Sequence, residues 1–131
     1  MKILHFGGID YTDTIDELKE VLSKRFGDDV NEFWITENES DNPCLAILIN
    51  KTLANLTFFP EDGHPGFQSF GNENDLVPGG YSVFYTNTPE EEIEINNDMV
   101  IPVEDAVKAA EEFFANNEIP TSVKWMNLMD V

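Results

Sequence analysis

Between residues 31 and 87 the apolar residues fall into five short runs, NEFWITEN, CLAILIN, LANLTFF, GFQSFG and GYSVFYTN, separated by turn-like stretches of at most eight residues. Parallel strands need crossovers of about a dozen residues or more, so connectors this short impose antiparallel pairing. The last run alternates: Tyr81, Val83 and Tyr85 point one way, while Ser82, Phe84 and Thr86 point the other. EEEIEIN adds a further strand with Ile93 and Ile95 on one face, and MKILHF reads as a first strand.

Helical spacing brackets these strands. In TDTIDELKEVLSKRF, Ile15, Leu18, Leu22 and Phe26 recur on one helical face. Thr14 and Glu17 stand in capping-box register, and Lys24 and Arg25 suit the negative end of the dipole, so this helix is expected to run up to Gly27. Residues 102–116 read as a second helix, with Pro102 in its first turn and Glu104 and Asp105 at its positive end. Its apolar stripe is Val103, Ala106, Val107, Ala110, Phe113 and Phe114. Asn116-Asn117 end it, because Asn tolerates the left-handed conformation of a C-cap, and Pro120 prevents resumption. SVKWM closes the chain as a strand with Val123 and Trp125 on one face. The expected class is α+β: a single domain over residues 1–131, with an antiparallel sheet of about five to seven strands and two amphipathic helices packed on it.

A 131-residue chain with 41% hydrophobic residues and ten Phe buries a real core without disulfides or metals. Cys44 is the single cysteine, so no internal disulfide forms, and the count suits a reducing compartment. MKILHFGG is too short in apolar residues for a secretion signal and no segment approaches a membrane span, so the expected location is the cytoplasm, with no membrane partner. Twenty-six acidic against seven basic residues give a net charge of −19. Such a surface repels nucleic acid and attracts basic partners, although strong acidity also serves solubility alone.

The stretch IPVEDAVKAAEEFFANNEIPTSVKW resembles the C-terminal signature of the first immunity-protein family (immunity protein 1 type) of bacterial polymorphic toxin and contact-dependent inhibition systems. The residues that carry it are Pro102, Ala106, Ala110, Glu112-Phe113, Pro120, Val123 and Trp125. Upstream, Ala54 to Phe59 and Gly66 to Gly71 resemble the family's strand pair, and Tyr81 to Tyr85 falls where its next strand lies. The likeness covers roughly residues 43 to 126. One departure stands out: where the family often has Gly-x-Arg before the proline, this chain has Asn117-Glu118-Ile119. Asn117 replaces the Gly conformationally, whereas Ile119 removes a positive charge. Nothing in the sequence demands more than a monomer when free, and the resemblance implies an inhibitor without catalysis or cofactor. It binds the C-terminal domain of a cognate toxin, a basic nucleic-acid deaminase or nuclease.

Candidate toxin contacts follow from the charge together with the resemblance. Glu90, Glu91, Glu92 and Glu94, with Asp98 just beyond, form the densest carboxylate run. It reads either as a solvated edge that blocks strand aggregation or as a face presented to a basic toxin. Glu61, Asp62, Glu73 and Asp75, with Glu37, Glu39 and Asp41 of the ENESD turn, are secondary candidates on loops. Phe113, Phe114, Pro120, Val123 and Trp125 are expected to be structural core. His5 and His64 are far apart and lack zinc-site spacing, so no metal site is expected, and the glycines match no phosphate loop. No catalytic constellation is legible. Two other classes stay open: a small acidic carboxylate-dependent hydrolase, which needs a desolvated carboxylate in a concave pocket, and a nucleic-acid-mimic regulator of several basic proteins.

Overall fold

The computed structural model describes residues 1–71 and 76–130. Its strands are β1 (Lys2–His5), β2 (Gly8–Tyr11), β3 (Val30–Thr36), β4 (Cys44–Asn50), β5 (Leu53–Phe59), β6 (Phe67–Phe70), β7 (Tyr81–Tyr85), β8 (Glu92–Asn96), β9 (Ile101–Pro102) and β10 (Lys124–Asn127). The helices are α1 (Ile15–Leu22) and α2 (Val103–Asn116). Eight strands make one sheet in the order β10-β6-β5-β4-β3-β1-β2, with β9 added beside β5, and every pairing is antiparallel. The architecture is α+β, as the short connectors require.

Three details differ from the sequence expectation. The main sheet has eight strands, because GIDY, with Gly8 and Asp10, pairs as β2 although it carries no run of β-branched residues, and the two residues of β9 pair beside β5. The strands β7 and β8 do not join that sheet; they form a separate hairpin. Helix α1 is also shorter than its apolar spacing predicts and ends at Leu22. Ser23 Oγ donates to the carbonyl of Glu20 at 2.6 Å and Arg25 Nη1 to that of Leu22 at 2.6 Å, which satisfies the terminal carbonyls early. Phe26 then bridges to Val30 instead of continuing the helical face. The Thr14–Glu17 capping box forms, and Asn117 takes the left-handed conformation (φ 56°, ψ 31°) with its N–H on the Phe113 carbonyl.

Strand alternation sends Ile3, Phe33, Ile35, Leu45, Ile47, Ile49, Ala54, Leu56 and Phe58 to one face of the sheet, and both helices cover it. Ala106, Ala109 and Ala110 let α2 approach closely, and Phe113 drives fully inside. The opposite face carries Glu32, Trp34, Ala46, Leu48, Asn55, Thr57 and Phe59. The β7–β8 hairpin packs on part of it, burying Phe84, Ile95 and Val100 against Leu48 and Leu53. Among the described residues no element packs over the part around Trp34, which stays exposed.

The turn after α2 is held by one carboxylate. Glu112 Oε1 accepts from Thr121 N at 3.1 Å and Thr121 Oγ1 at 2.9 Å, while Oε2 accepts from Ser122 N at 3.1 Å. Partial burial pushes its pKa up, but the hydrogen bonds from Ser122 and Thr121 outweigh that and leave it below the usual carboxylate range. A depressed folded-state pKa means the clamp stabilises fully above the unfolded value near 4.5 and loses its effect as pH falls through the folded value. Glu112→Gln is therefore expected to cost about 1 kcal/mol at pH 7, a few degrees in Tm after allowance for solvent screening. The gap to wild type should narrow as pH falls below 4.5 and close once the folded-state carboxyl is protonated and both side chains are neutral, as a series of thermal melts would show.

Candidate partner-binding face

The open sheet face and the hairpin together form a concave surface. A groove of about 160 Å³ runs between them, with Trp34, Leu48, Thr57 and Phe59 on the sheet side and Thr86 and Ile93 on the hairpin side. A wider depression of about 370 Å³ shares Trp34 and Phe59 and is bordered by Asp41, Glu61 and Asp62. Trp34 and Phe59 stack with centroids 6.0 Å apart and planes inclined by 18°. This pair joins the two hollows.

The hairpin is fastened by buried polar contacts. Glu32, nearly buried on the open face, accepts from Thr86 Oγ1 through one oxygen and from the backbone N–H of Asn87 at 3.0 Å through the other. Asn50 Nδ2 donates to the Val83 carbonyl at 2.9 Å. The groove therefore does contain a desolvated carboxylate, but both of its oxygens hold the fold. Cys44, at the edge of the depression, is buried, and burial pushes its thiol up to about 11. Among the described residues no group of three or more His, Cys, Asp or Glu side chains is placed to hold a metal ion.

The predicted carboxylates fall at two places around this surface. Glu90 and Glu91 sit in the turn region between β7 and β8, and Glu92 and Glu94 lie on β8. All four are exposed, and alternation directs Glu92 and Glu94 away from the sheet because Ile93 and Ile95 face it. Asp98 is half-buried in the 3-10 turn that follows β8. Glu61 and Asp62 are exposed in the β5–β6 loop and border the depression. Glu73 and Asp75 lie outside the described residues. Phe113 is fully buried and Pro120 buried, whereas Phe114, Val123 and Trp125 are partly buried against the core. The Trp125 indole N–H donates to the Pro120 carbonyl at 2.7 Å and its ring packs 6.4 Å from Phe58. The tryptophan thus ties the proline turn to the last strand.

Sequence reasoning missed Trp34 and Phe59, whereas Asp41, a loop candidate from sequence, does border the depression. A signal was present in NEFWITEN, where Trp34 stands between Phe33 and Ile35. If those two face the core, alternation places the tryptophan on the other side of the sheet.

The family model described as Immunity protein Imm1 matches residues 11–127. This chain belongs to the Imm1 family. A protein of Burkholderia cenocepacia (strain H111) named double-stranded DNA deaminase immunity protein is 31% identical over 123 residues, which span 94% of this chain and 96% of that protein. The Imm1 match extends from the last residue of β2 to the last of β10 and so takes in α1 and β3, beyond the motifs near the C-terminus. As an Imm1 protein the chain is a toxin-neutralising immunity protein, and its partner is a cognate toxin. Ile119 packs partly buried against the core and presents no charge. No helix among the described residues is long and apolar enough to cross a membrane.

Proposed function

We propose that this Imm1 protein binds, one to one, a toxin domain that acts on nucleic acid, a deaminase or a nuclease, and blocks its substrate channel without catalysis of its own. The observation that carries this reading is the net charge of −19. An enzyme that handles DNA or RNA receives a polyanion, so its substrate surface is basic. Dense carboxylates can occupy that surface in place of phosphates. The name of the Burkholderia relative, an immunity protein for a double-stranded DNA deaminase, supports the deaminase class. The commitment of both Glu32 oxygens to the hairpin supports inhibition over hydrolysis.

On this reading the chain works as one domain over residues 1–131, a cofactor-free monomer in the cytoplasm, where an unpaired buried cysteine is at home. The toxin contacts are Glu90, Glu91, Glu92, Glu94 and Asp98 on one side and Glu61 and Asp62 on the other. Glu73 and Asp75 are assigned from sequence alone. Co-expression with the toxin domain encoded beside its gene is the test. Growth should be rescued and the two proteins should co-purify in equal amounts; continued killing with no complex would sink the reading.

The charge makes a kinetic prediction. Association at low salt should be steered, with on-rates reaching roughly 10⁸ M⁻¹s⁻¹, and should slow as the Debye length shrinks from about 30 Å at 0.01 M to about 8 Å at 0.15 M. Changing Glu90, Glu91, Glu92 and Glu94 together to Gln should lower the low-salt on-rate by about tenfold and flatten its salt dependence, with a smaller change in off-rate. Stopped-flow mixing across salt measures both. Superimposable on-rates would mark the run as a solvated edge.

A further inference from the structure

Three exposed apolar side chains lie in a row across the open face, because the register sets Ile9 opposite Leu4 and Leu4 opposite Trp34. The next residues toward β5 are small: Ala46 is opposite Trp34, and Cys44 is opposite Phe59. With a low floor between them, the Trp34 ring reaches over to stack on Phe59 while the residue stays 37% exposed. A stacked tryptophan at the centre of a sheet face, open to water, is a poor use of apolar area for folding alone and is characteristic of interfaces. The depression beside it is bordered by three carboxylates, those of Asp41, Glu61 and Asp62, and by no Lys or Arg among its described lining residues.

We propose, on the reading of the preceding section, that the Trp34–Phe59 depression is the central anchor of the toxin interface and receives an arginine from the toxin's basic surface. A guanidinium is planar, weakly hydrated and always charged. It stacks on an indole face by cation–π attraction while its N–H groups reach carboxylates at the ring's edge. A hydrophobic plug would desolvate Asp41, Glu61 and Asp62 without pairing them. A phosphate would meet the same three charges as repulsion, and a second copy of this chain would bring −19 against −19. Buried, water-excluded contacts of Trp with Arg are where binding energy concentrates. The hairpin carboxylates then steer the encounter, and Trp34 holds the complex.

The experiment uses the adjacent-gene toxin domain, inactivated at its catalytic residue so that it can be produced, and measures rates by surface-immobilised binding. Trp34→Ala should weaken the complex on the order of 100-fold, chiefly through a faster off-rate, and Trp34→Phe should recover part of that loss. Glu61→Gln with Asp62→Asn, both on an exposed loop and so free of folding effects, should weaken it about tenfold. With Trp125 replaced by Phe, Trp34 is the remaining tryptophan, and its fluorescence should shift when toxin is added. Wild-type affinity in both Trp34→Ala and the double loop variant would overturn the anchor while leaving the immunity reading intact. So would sedimentation showing a self-dimer that Trp34→Ala abolishes. Failure of the wild-type protein itself to bind would overturn the immunity reading, and the anchor with it.

Discussion

Phe113→Ala should lower stability by about 3–5 kcal/mol, the usual cost of truncating a fully buried aromatic. Phe113 is 0% exposed and meets Phe58 edge-on at 5.9 Å and 75°, in the core cluster that also holds Ala106, Ala109 and Ala110 of its own helix. The helix and sheet that hold this cluster are fixed by their own backbone hydrogen bonds, so the space left is not readily filled. A domain has only about 5–15 kcal/mol in total, so the variant should melt roughly 10–20 °C lower and protect poorly through loss of folded protein. Thermal melts of Phe113→Ala and Phe113→Leu would test this. Near-wild-type melting in the alanine variant would mean that α2 repacks freely and that its contact with the sheet is not what holds the domain.

Phe84→Ala should cost a similar 3–5 kcal/mol but lose it in a different place. Phe84 is fully buried in the small cluster with Ile95 and Val100 that sits on the far side of the sheet from α2. A two-stranded hairpin has marginal stability by itself, so β7 and β8 depend on that cluster and on the contacts of Glu32 and Asn50. Amides of Tyr81–Tyr85 and Glu92–Asn96 should therefore exchange on the order of 100-fold faster, while those of β4 and α2 keep their protection. Uniform acceleration across the molecule would show instead that hairpin and sheet unfold as one unit. The variant also separates the two parts of the proposed interface. The Trp34–Phe59 stack belongs to the sheet, whereas Glu92 and Glu94 travel with the hairpin.

Much of the architecture was legible because it rests on neighbours two to four residues apart. The Thr14–Glu17 box, the left-handed Asn117 and the alternation that buries Phe84 are decided by local spacing, and each is in the structure as the sequence implies. The end of α1 was not, since Ser23 and Arg25 stop the helix through side-chain bonds to carbonyls that apolar periodicity does not register.

Pairing between distant segments is where local spacing gives out. YSVFYTN and EEEIEIN read as strands of the one sheet, yet the buried contacts Phe84 makes with Leu48 and Leu53 stack them on its face. Composition alone determined that this chain is strongly acidic, because long-range charge depends on the count of ionised groups before their placement. Where a partner could seat a side chain under the proposed reading was decided by register. Trp34 and Phe59 are 25 positions apart in sequence, and they stack only because antiparallel pairing lays Ala46 and Cys44 between them, two side chains small enough to let an indole cross a strand.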